Sequence, residues 1–502
     1  MPLLSPKPLA ELLGAPKRGL ECFFSKAGAK VLLFFELCKF FLHIWYIFCT
    51  FALKNDKKSQ IAMLKLQKYR LFFRDSLLVA ALFFTTLSYA SGTEVYTTRI
   101  LKNEIKTLRV RYAEGNTLER PFLVLPKDGV IDGSDGMNTL DISFDCLSHD
   151  TRRYTYTVLH LNHDYRESNL SSFEYLDGFT TQDITEYELS VNTQEAYTHY
   201  SFLFPNEDMR LKTSGNYVLL IYEDGRSENI VAQVCFQVAE DLVGIETHIR
   251  TNTDIETNGR YQQADIDIRT DRLRPNSPDE IILQVQQNGR TDNRVTLNRP
   301  TFVENNRLRY INQRALIFEG GNEYRRLDIY SVYFTGTNVD RVIYDEGSYY
   351  ATLFPDKPNT SGPYIFENDA DGQFVVNAER TDYDDTEAEY MRVYWTLPMD
   401  NPFFDGSIYI GGDLFQNRLD NTNRMLYDAD RRCYFFSAQV KQGGYDYQYW
   451  FKGKNETKAT LLRTEGSYWQ TNNLYTISVY YRPIGARYDR LVGLAVYSSS
   501  SR

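Results

Sequence analysis

From residue 91 onward the chain alternates apolar and polar side chains with a period of two, and no amphipathic helix of normal length interrupts the pattern. Tyr154, Tyr156 and Val158 alternate with Thr155, Thr157 and Leu159; Val234, Phe236 and Val238 alternate with Cys235 and Gln237. Ile266 and Ile268 alternate with Asp265 and Asp267, and Tyr475, Ile477, Val479 and Tyr481 with Thr476, Ser478 and Tyr480. Successive side chains on a strand point to opposite faces. Each run therefore reads as a strand with one packed and one mostly wet face, the pattern of an antiparallel sheet. Turn formers separate the runs: Ser214-Gly215-Asn216, Asp224-Gly225, Asn288-Gly289, Asp371-Gly372 and Gly443-Gly444. With 38 Tyr and 31 Phe the composition favours pleated, half-buried surfaces. These signals predict an all-β protein of tandem antiparallel β-sandwiches of the immunoglobulin-like kind.

A chain of 502 residues exceeds what one hydrophobic core can serve. A strand closes at Val238-Ala239-Glu240-Asp241 before a polar stretch at 249–262, which puts a first boundary near residue 243. The acidic run Asp382 to Glu389, read as a solvated linker, supplies a second. The expected domains are 94–243, 244–385 and 386–496, each large enough for its own core.

The start of the chain has a different character. Lys65, Lys68, Arg70 and Arg74 form a basic region, Ser76 to Leu87 an apolar one, and Ser88 and Ala90 the small residues a signal peptidase requires. Residues 63–90 are thus expected to be a signal peptide cleaved after Ala90. The apolar segment Lys30 to Leu53 is long enough to span a bilayer, but Glu36, Lys39 and His43 interrupt it. The expectation is that Met63 is the true start and that residues 1–62 belong to an over-extended reading frame.

Charge and cysteine usage exclude several classes of function. Residues 1–90 hold 13 of the 56 Lys/Arg and 5 of the 66 Asp/Glu, so the remainder carries a net −18. Such a body repels phosphate backbones, which argues against nucleic acid as a partner. Cys146, Cys235 and Cys433 are too widely spaced for a disulfide framework or a metal site; buried free thiols are expected, although one pair could bridge in an oxidising compartment. No G-x-S-x-G elbow, H-E-x-x-H or P-loop is present. His160 and His163, three apart on a strand, fall on opposite faces and suit a shared metal poorly. Asn368-Asp369-Ala370-Asp371-Gly372 resembles a calcium loop but lacks its distal Glu, and reads as a turn. No catalytic residue, metal or cofactor is assigned. An alternative function is glycan binding through the third domain, whose Gly411 to Phe415 turn and Gly444-Tyr445-Asp446-Tyr447 hairpin are similar to starch-binding early-set modules, with Trp450 and Trp469 as stacking platforms.

A more specific resemblance runs from about Tyr96 to Val496 through six segments in order. They are Thr198-His199-Tyr200 with Phe204-Pro205-Asn206-Glu207-Asp208-Met209; Ser214-Gly215-Asn216-Tyr217-Val218-Leu219; Val285-Gln286-Gln287-Asn288-Gly289-Arg290; Ile317-Phe318-Glu319-Gly320-Gly321-Asn322-Glu323-Tyr324-Arg325; Lys441-Gln442-Gly443; and Arg487-Tyr488-Asp489-Arg490-Leu491-Val492-Gly493. Together they resemble the type IX secretion system plug protein family of Bacteroidetes. That resemblance implies a non-enzymatic periplasmic protein associated with the outer-membrane β-barrel translocon, closing its periplasmic side when no substrate is engaged. It implies no small-molecule substrate. His199, Pro205, Asn206, Gly215, Asn216, Asn288, Gly289, Asn322, Glu323, Arg325, Gln442, Gly443, Arg487 and Asp489 are the motif positions, with a structural or an interface role.

Overall fold

A computed structural model describes residues 94–115 and 118–500. The proposed signal segment, its cleavage point at Ala90 and the doubtful segment 1–62 lie outside the described residues. Within them the regular secondary structure is nearly all strand. The α-helices are single turns, Ser172–Tyr175 and Asp384–Glu387.

The strands build three sandwiches, each with its own core. In the first, the sheet Arg99–Ile100, Ile230–Ala239, Gly215–Glu223, Tyr154–Leu161 and Thr181–Ile184 faces the sheet Ile105–Tyr112, Leu140–Cys146, Thr198–Phe204 and Glu186–Leu189. The alternating Tyr154, Tyr156 and Val158 fill this core with Phe144, Tyr200, Tyr217 and Phe236. Aromatic pairs in edge-to-face and stacked geometry fix the packing, among them Phe144–Tyr154 at 5.2 Å and Tyr217–Phe236 at 5.3 Å.

The second sandwich sets Gly244–Arg250, Tyr261–Arg269, Arg307–Tyr310 and Phe302–Glu304 against Val295–Leu297, Ile281–Gln287, Leu474–Tyr481 and Arg490–Ser498. The third sets Arg325–Asp328, Gly443–Gly453, Phe374–Val376 and Gly406–Gly411 against Val339–Asp345, Ser348–Leu353, Tyr390–Pro398, Cys433–Lys441 and Leu426–Asp428. Trp395 and a row of tyrosines, Tyr445, Tyr447 and Tyr449, occupy its core. Pairing is antiparallel throughout except where Leu123–Val124 runs parallel to Val238 and Ala239, and Ser348–Leu353 parallel to Tyr390–Pro398.

Strand pairing does not follow the linear division at 385. Residues 325–353, expected in the middle domain, pair within the third sandwich. Residues 474–498, expected in the last domain, return to the second, where Tyr475 to Tyr481 pair with Gln287 to Ile281 along the whole strand. The reason is burial: Tyr475, Ile477, Val479 and Val492 complete the core around Ile266, Leu283 and Val285, which would otherwise lack one side. The third sandwich is thus an insertion into the second.

The acidic run is also not a solvated linker. Asp384–Glu387 is a helical turn, with Asp384 accepting a hydrogen bond from the Ala378 amide and Asp385 pairing with Arg109 of the first sandwich.

Cys146, Cys235 and Cys433 are free thiols. Burial pushes the Cys235 thiol up to about 12, so it stays protonated and unreactive.

Candidate functional site

The motif positions do not converge on one pocket; most lie on the seams where the sandwiches meet. The first–third seam is built from two cross-strand pairs, Asp145 with His199 and Tyr390 with Lys441. Asp145 is fully buried. One carboxylate oxygen accepts from His199 Nδ1 at 2.6 Å; the other accepts from the Tyr390 hydroxyl at 2.6 Å and from Lys441 Nζ at 2.7 Å. Lys441 also donates to the Asp385 carbonyl and sits 4.2 Å from the Tyr197 ring centroid. Burial would raise the pKa of Asp145, but Lys441 and His199 outweigh it and hold the carboxyl down at about 2. Beside this cluster Gln442 accepts from the Glu389 amide and donates to the Tyr330 carbonyl, and the Glu389 carboxylate accepts from the Gln194 and Glu195 amides. Gly443 leaves room for the Val375 carbonyl, which a Cβ would meet at 2.1 Å.

The first–second seam holds Gly215, Asn216, Arg487 and Asp489. Asn216 accepts from the Tyr480 hydroxyl at 2.8 Å and donates to the Asn162 carbonyl at 2.9 Å. Asp489 is fully buried and accepts from both the amide and Nδ1 of His163, with Arg482 on its other oxygen. Arg487 pairs with Glu174. Gly215 adopts φ +146°, and a Cβ there would lie 2.4 Å from the His160 ring. Gly215→Ala should therefore cost about 2 kcal/mol in urea unfolding; a change within about 0.5 kcal/mol would contradict the close approach.

At the second–third seam Arg290 donates to the Ala459 carbonyl, and Asp292 accepts from the Ala459 amide. Glu319 accepts from the Thr460 hydroxyl and the Leu461 amide. Asn322, Glu323 and Arg325 lie where the chain passes into the third sandwich. Asn322 donates to the Glu465 carbonyl, and Arg325 grips Glu465 through both oxygens and Asp356 at 3.0 Å. Glu323 accepts from Tyr364, while its other oxygen is buried without a partner. Burial raises Glu323 to about 7, with Asp369 adding to the effect. Asn288-Gly289 forms the expected turn: both residues have positive φ, and the Arg290 amide bonds the Gln287 carbonyl. Asn288 also ties Asn473 and the Leu474 amide. Arg120 of the first sandwich fits against Gly289, where a Cβ would meet its Nε at 2.6 Å, and donates to Asp371 and Asp413 of the third. It joins all three bodies.

Pro205 and Asn206 lie outside the seams. The Phe204–Pro205 peptide is cis, and Asn206 holds the following turn by accepting from the Asp208 and Met209 amides. Trp450 is fully buried under the Arg290 guanidinium, 4.3 Å away, so it offers no face to a sugar; Trp469 is half-buried. His160, on the strand Tyr154–Leu161, bonds Ser168, and His163, in the turn that follows it, bonds Asp489. No group of three or more His, Cys, Asp or Glu residues suited to a metal ion occurs among the described residues.

Asp145, Tyr390, Arg109, Arg120 and Glu389 are seam residues that sequence patterning passed over. Asp145 sits opposite Ile142, Phe144 and Cys146 in the alternation, where a wet face is expected. The third sandwich covers that face.

These features define a class: a body of three all-β sandwiches whose buried polar side chains lock one sandwich to the next. Residues 105–240 match the model of the type 9 secretion system plug protein 1st domain. The chain belongs to the type 9 secretion system plug protein family. It is also similar to the crystal structure of a hypothetical protein from Parabacteroides merdae ATCC 43184, with 36% identity over 81% of this chain and 100% of that chain and a TM-score of 0.77. No curated protein matches the chain.

Proposed function

We propose that this protein is the plug subunit that closes the periplasmic side of the type IX secretion outer-membrane translocon when no substrate is engaged, and that it does so without catalysing a reaction. In this reading it is exported to the periplasm and its partner is the β-barrel translocon. Support comes from the family match over 105–240 together with the three locked seams. A body that blocks a wide opening needs breadth and rigidity, and buried charge-assisted hydrogen bonds between sandwiches resist hinge motion.

Pull-down from cross-linked envelopes should recover an outer-membrane barrel with the tagged protein, and deletion of the gene should make the envelope leakier to large antibiotics. Unchanged permeability with no barrel recovered would overturn the assignment.

A further inference from the structure

The three sandwiches leave between them a cleft of about 620 Å³, lined by residues from all of them and of a size that suits a specific ligand. Two strand edges open into it. Ile105–Tyr112 is the terminal strand of its sheet in the first sandwich, and Phe374–Val376 is terminal in the third. Backbone hydrogen bonds alternate along an antiparallel pair. The Ala113 amide bonds the Thr139 carbonyl, so Arg109 and Arg111 bond inward and Val110 and Tyr112 turn their N–H and C=O groups outward. By the same argument, from Asp446 to Gln373 and from Asn377 to Gln442, the outward groups of the other strand belong to Phe374 and Val376. None of these four residues has a backbone partner on that side among the described residues. Unpaired edges of this kind are templates for an added strand.

Among the described residues the lining also offers one unpaired cation. In a body with a net charge of −18, the cleft carries Arg109, Arg111, Arg120 and Arg294 against Glu119 and Asp413. Arg109, Arg111 and Arg120 are held by Asp385, Asp141 and Asp413. Arg294 is different. Its guanidinium lies 4.0 Å from the Tyr165 ring centroid, its Nε is buried without a hydrogen bond, and it forms no ion pair with any described residue. A planar fork of donors, stacked and unpaired, is suited to a carboxylate.

We propose that this cleft binds an extended, acidic segment of another polypeptide, which adds as a strand to one of the two open edges and places a carboxylate on Arg294. The unpaired backbone groups supply affinity and the arginine supplies selectivity. The proposal stands independently of the plug assignment, since it rests on the cleft alone.

The test uses the purified protein and fluorescein-labelled peptides about ten residues long, one alternating glutamate with valine, one alternating lysine with valine, and one glutamate–valine peptide broken by a central proline. The first should bind in the micromolar range and slow hydrogen exchange at Val110 and Tyr112 or at Phe374 and Val376. The other two should bind at least about tenfold more weakly. Arg294→Gln should weaken the first by about tenfold. Thr291→Glu, at an exposed position on the cleft, should do the same without disturbing any packing. Equal binding of the lysine peptide, equal binding of the proline peptide, protection away from both edges, or no binding at about 1 mM would each overturn the proposal. So would self-association of the protein that closes the cleft to the peptide.

Discussion

Replacing Lys441 by methionine is expected to destabilise the protein by about 3–5 kcal/mol, the largest effect of any single seam substitution. The ammonium is fully buried and bonds the buried carboxylate of Asp145 at 2.7 Å. Removing it leaves that carboxylate with only His199 and Tyr390 as donors. The charge stays where it is, since the surrounding sandwiches exclude water, and its desolvation is no longer offset. Methionine matches the shape of the lysine stem, so the loss is one of charge and not of volume. The double variant Asp145→Asn with Lys441→Met should therefore recover part of the loss, because the buried charge goes with its partner while the amide oxygen still accepts from Tyr390. Urea unfolding of the wild type, the single and the double variant measures this. A single variant that loses less than about 1 kcal/mol, or a double variant no better than the single, would show that the pair contributes little. An unfolding curve that splits into two transitions would mean that this seam alone couples the first and third sandwiches, since separately melting bodies break two-state behaviour.

Local rules made the strands legible and long-range partners made the seams obscure. Tyr154 to Val158 and Tyr475 to Tyr481 alternate because the core on one side demands it, and that demand is written in neighbouring residues. The Asn288-Gly289 turn is legible for the same reason, since positive φ at both positions selects those residue types. Nothing local says that Tyr475 completes the core begun at Ile281, nearly two hundred residues earlier. A linear reading therefore cut the chain where composition changed and missed the insertion. Asp145 and Lys441 show the complementary failure. Each is charged, and each was placed by its neighbours on a face that a single sheet would leave wet; the facing sandwich buries it. Motif residues such as Asn216 and Asp489 were picked out as a family pattern with a structural or an interface role, and which bonds they make is visible only when both sides of a seam are present.

Stability should fall as pH rises from about 4 to about 8, against the usual trend for a protein with many ion-paired carboxylates. Glu323, Asp371 and Asp446 lie close together near the second–third seam, and burial raises each of them to about 7, with Asp369 reinforcing the rise by repulsion. The ordinary values are 4.5 for the glutamate and 3.8 for the aspartates. A carboxyl whose pKa is raised by folding binds a proton more tightly when folded. Its contribution is complete below the ordinary value and is lost as pH rises through about 7. A tenfold change in proton affinity corresponds to about 1.4 kcal/mol, so one such group is worth on the order of 3 kcal/mol. The groups interact and titrate together, which makes their joint effect smaller than three times that figure. Asp145 and His160 work in the opposite direction. The folded value of about 2 for Asp145 contributes stability above 3.8 that disappears as pH falls towards 2. His160, lowered by burial to about 4, loses stability as pH falls from 6.5, a single group against the three carboxyls. The optimum should therefore lie on the acid side of neutrality. Glu323→Gln isolates the cause. The amide oxygen can still accept from Tyr364 and from the Asn472 amide, but no charge forms. At about pH 8 the variant should be more stable than the wild type by 1–3 kcal/mol or so, about the linkage of one group after relaxation, and the two should converge near about pH 4. Parallel stability profiles for the two proteins, or a flat wild-type profile across this window, would show that Glu323 is ionised in the folded protein and that its unpartnered oxygen is met by solvent.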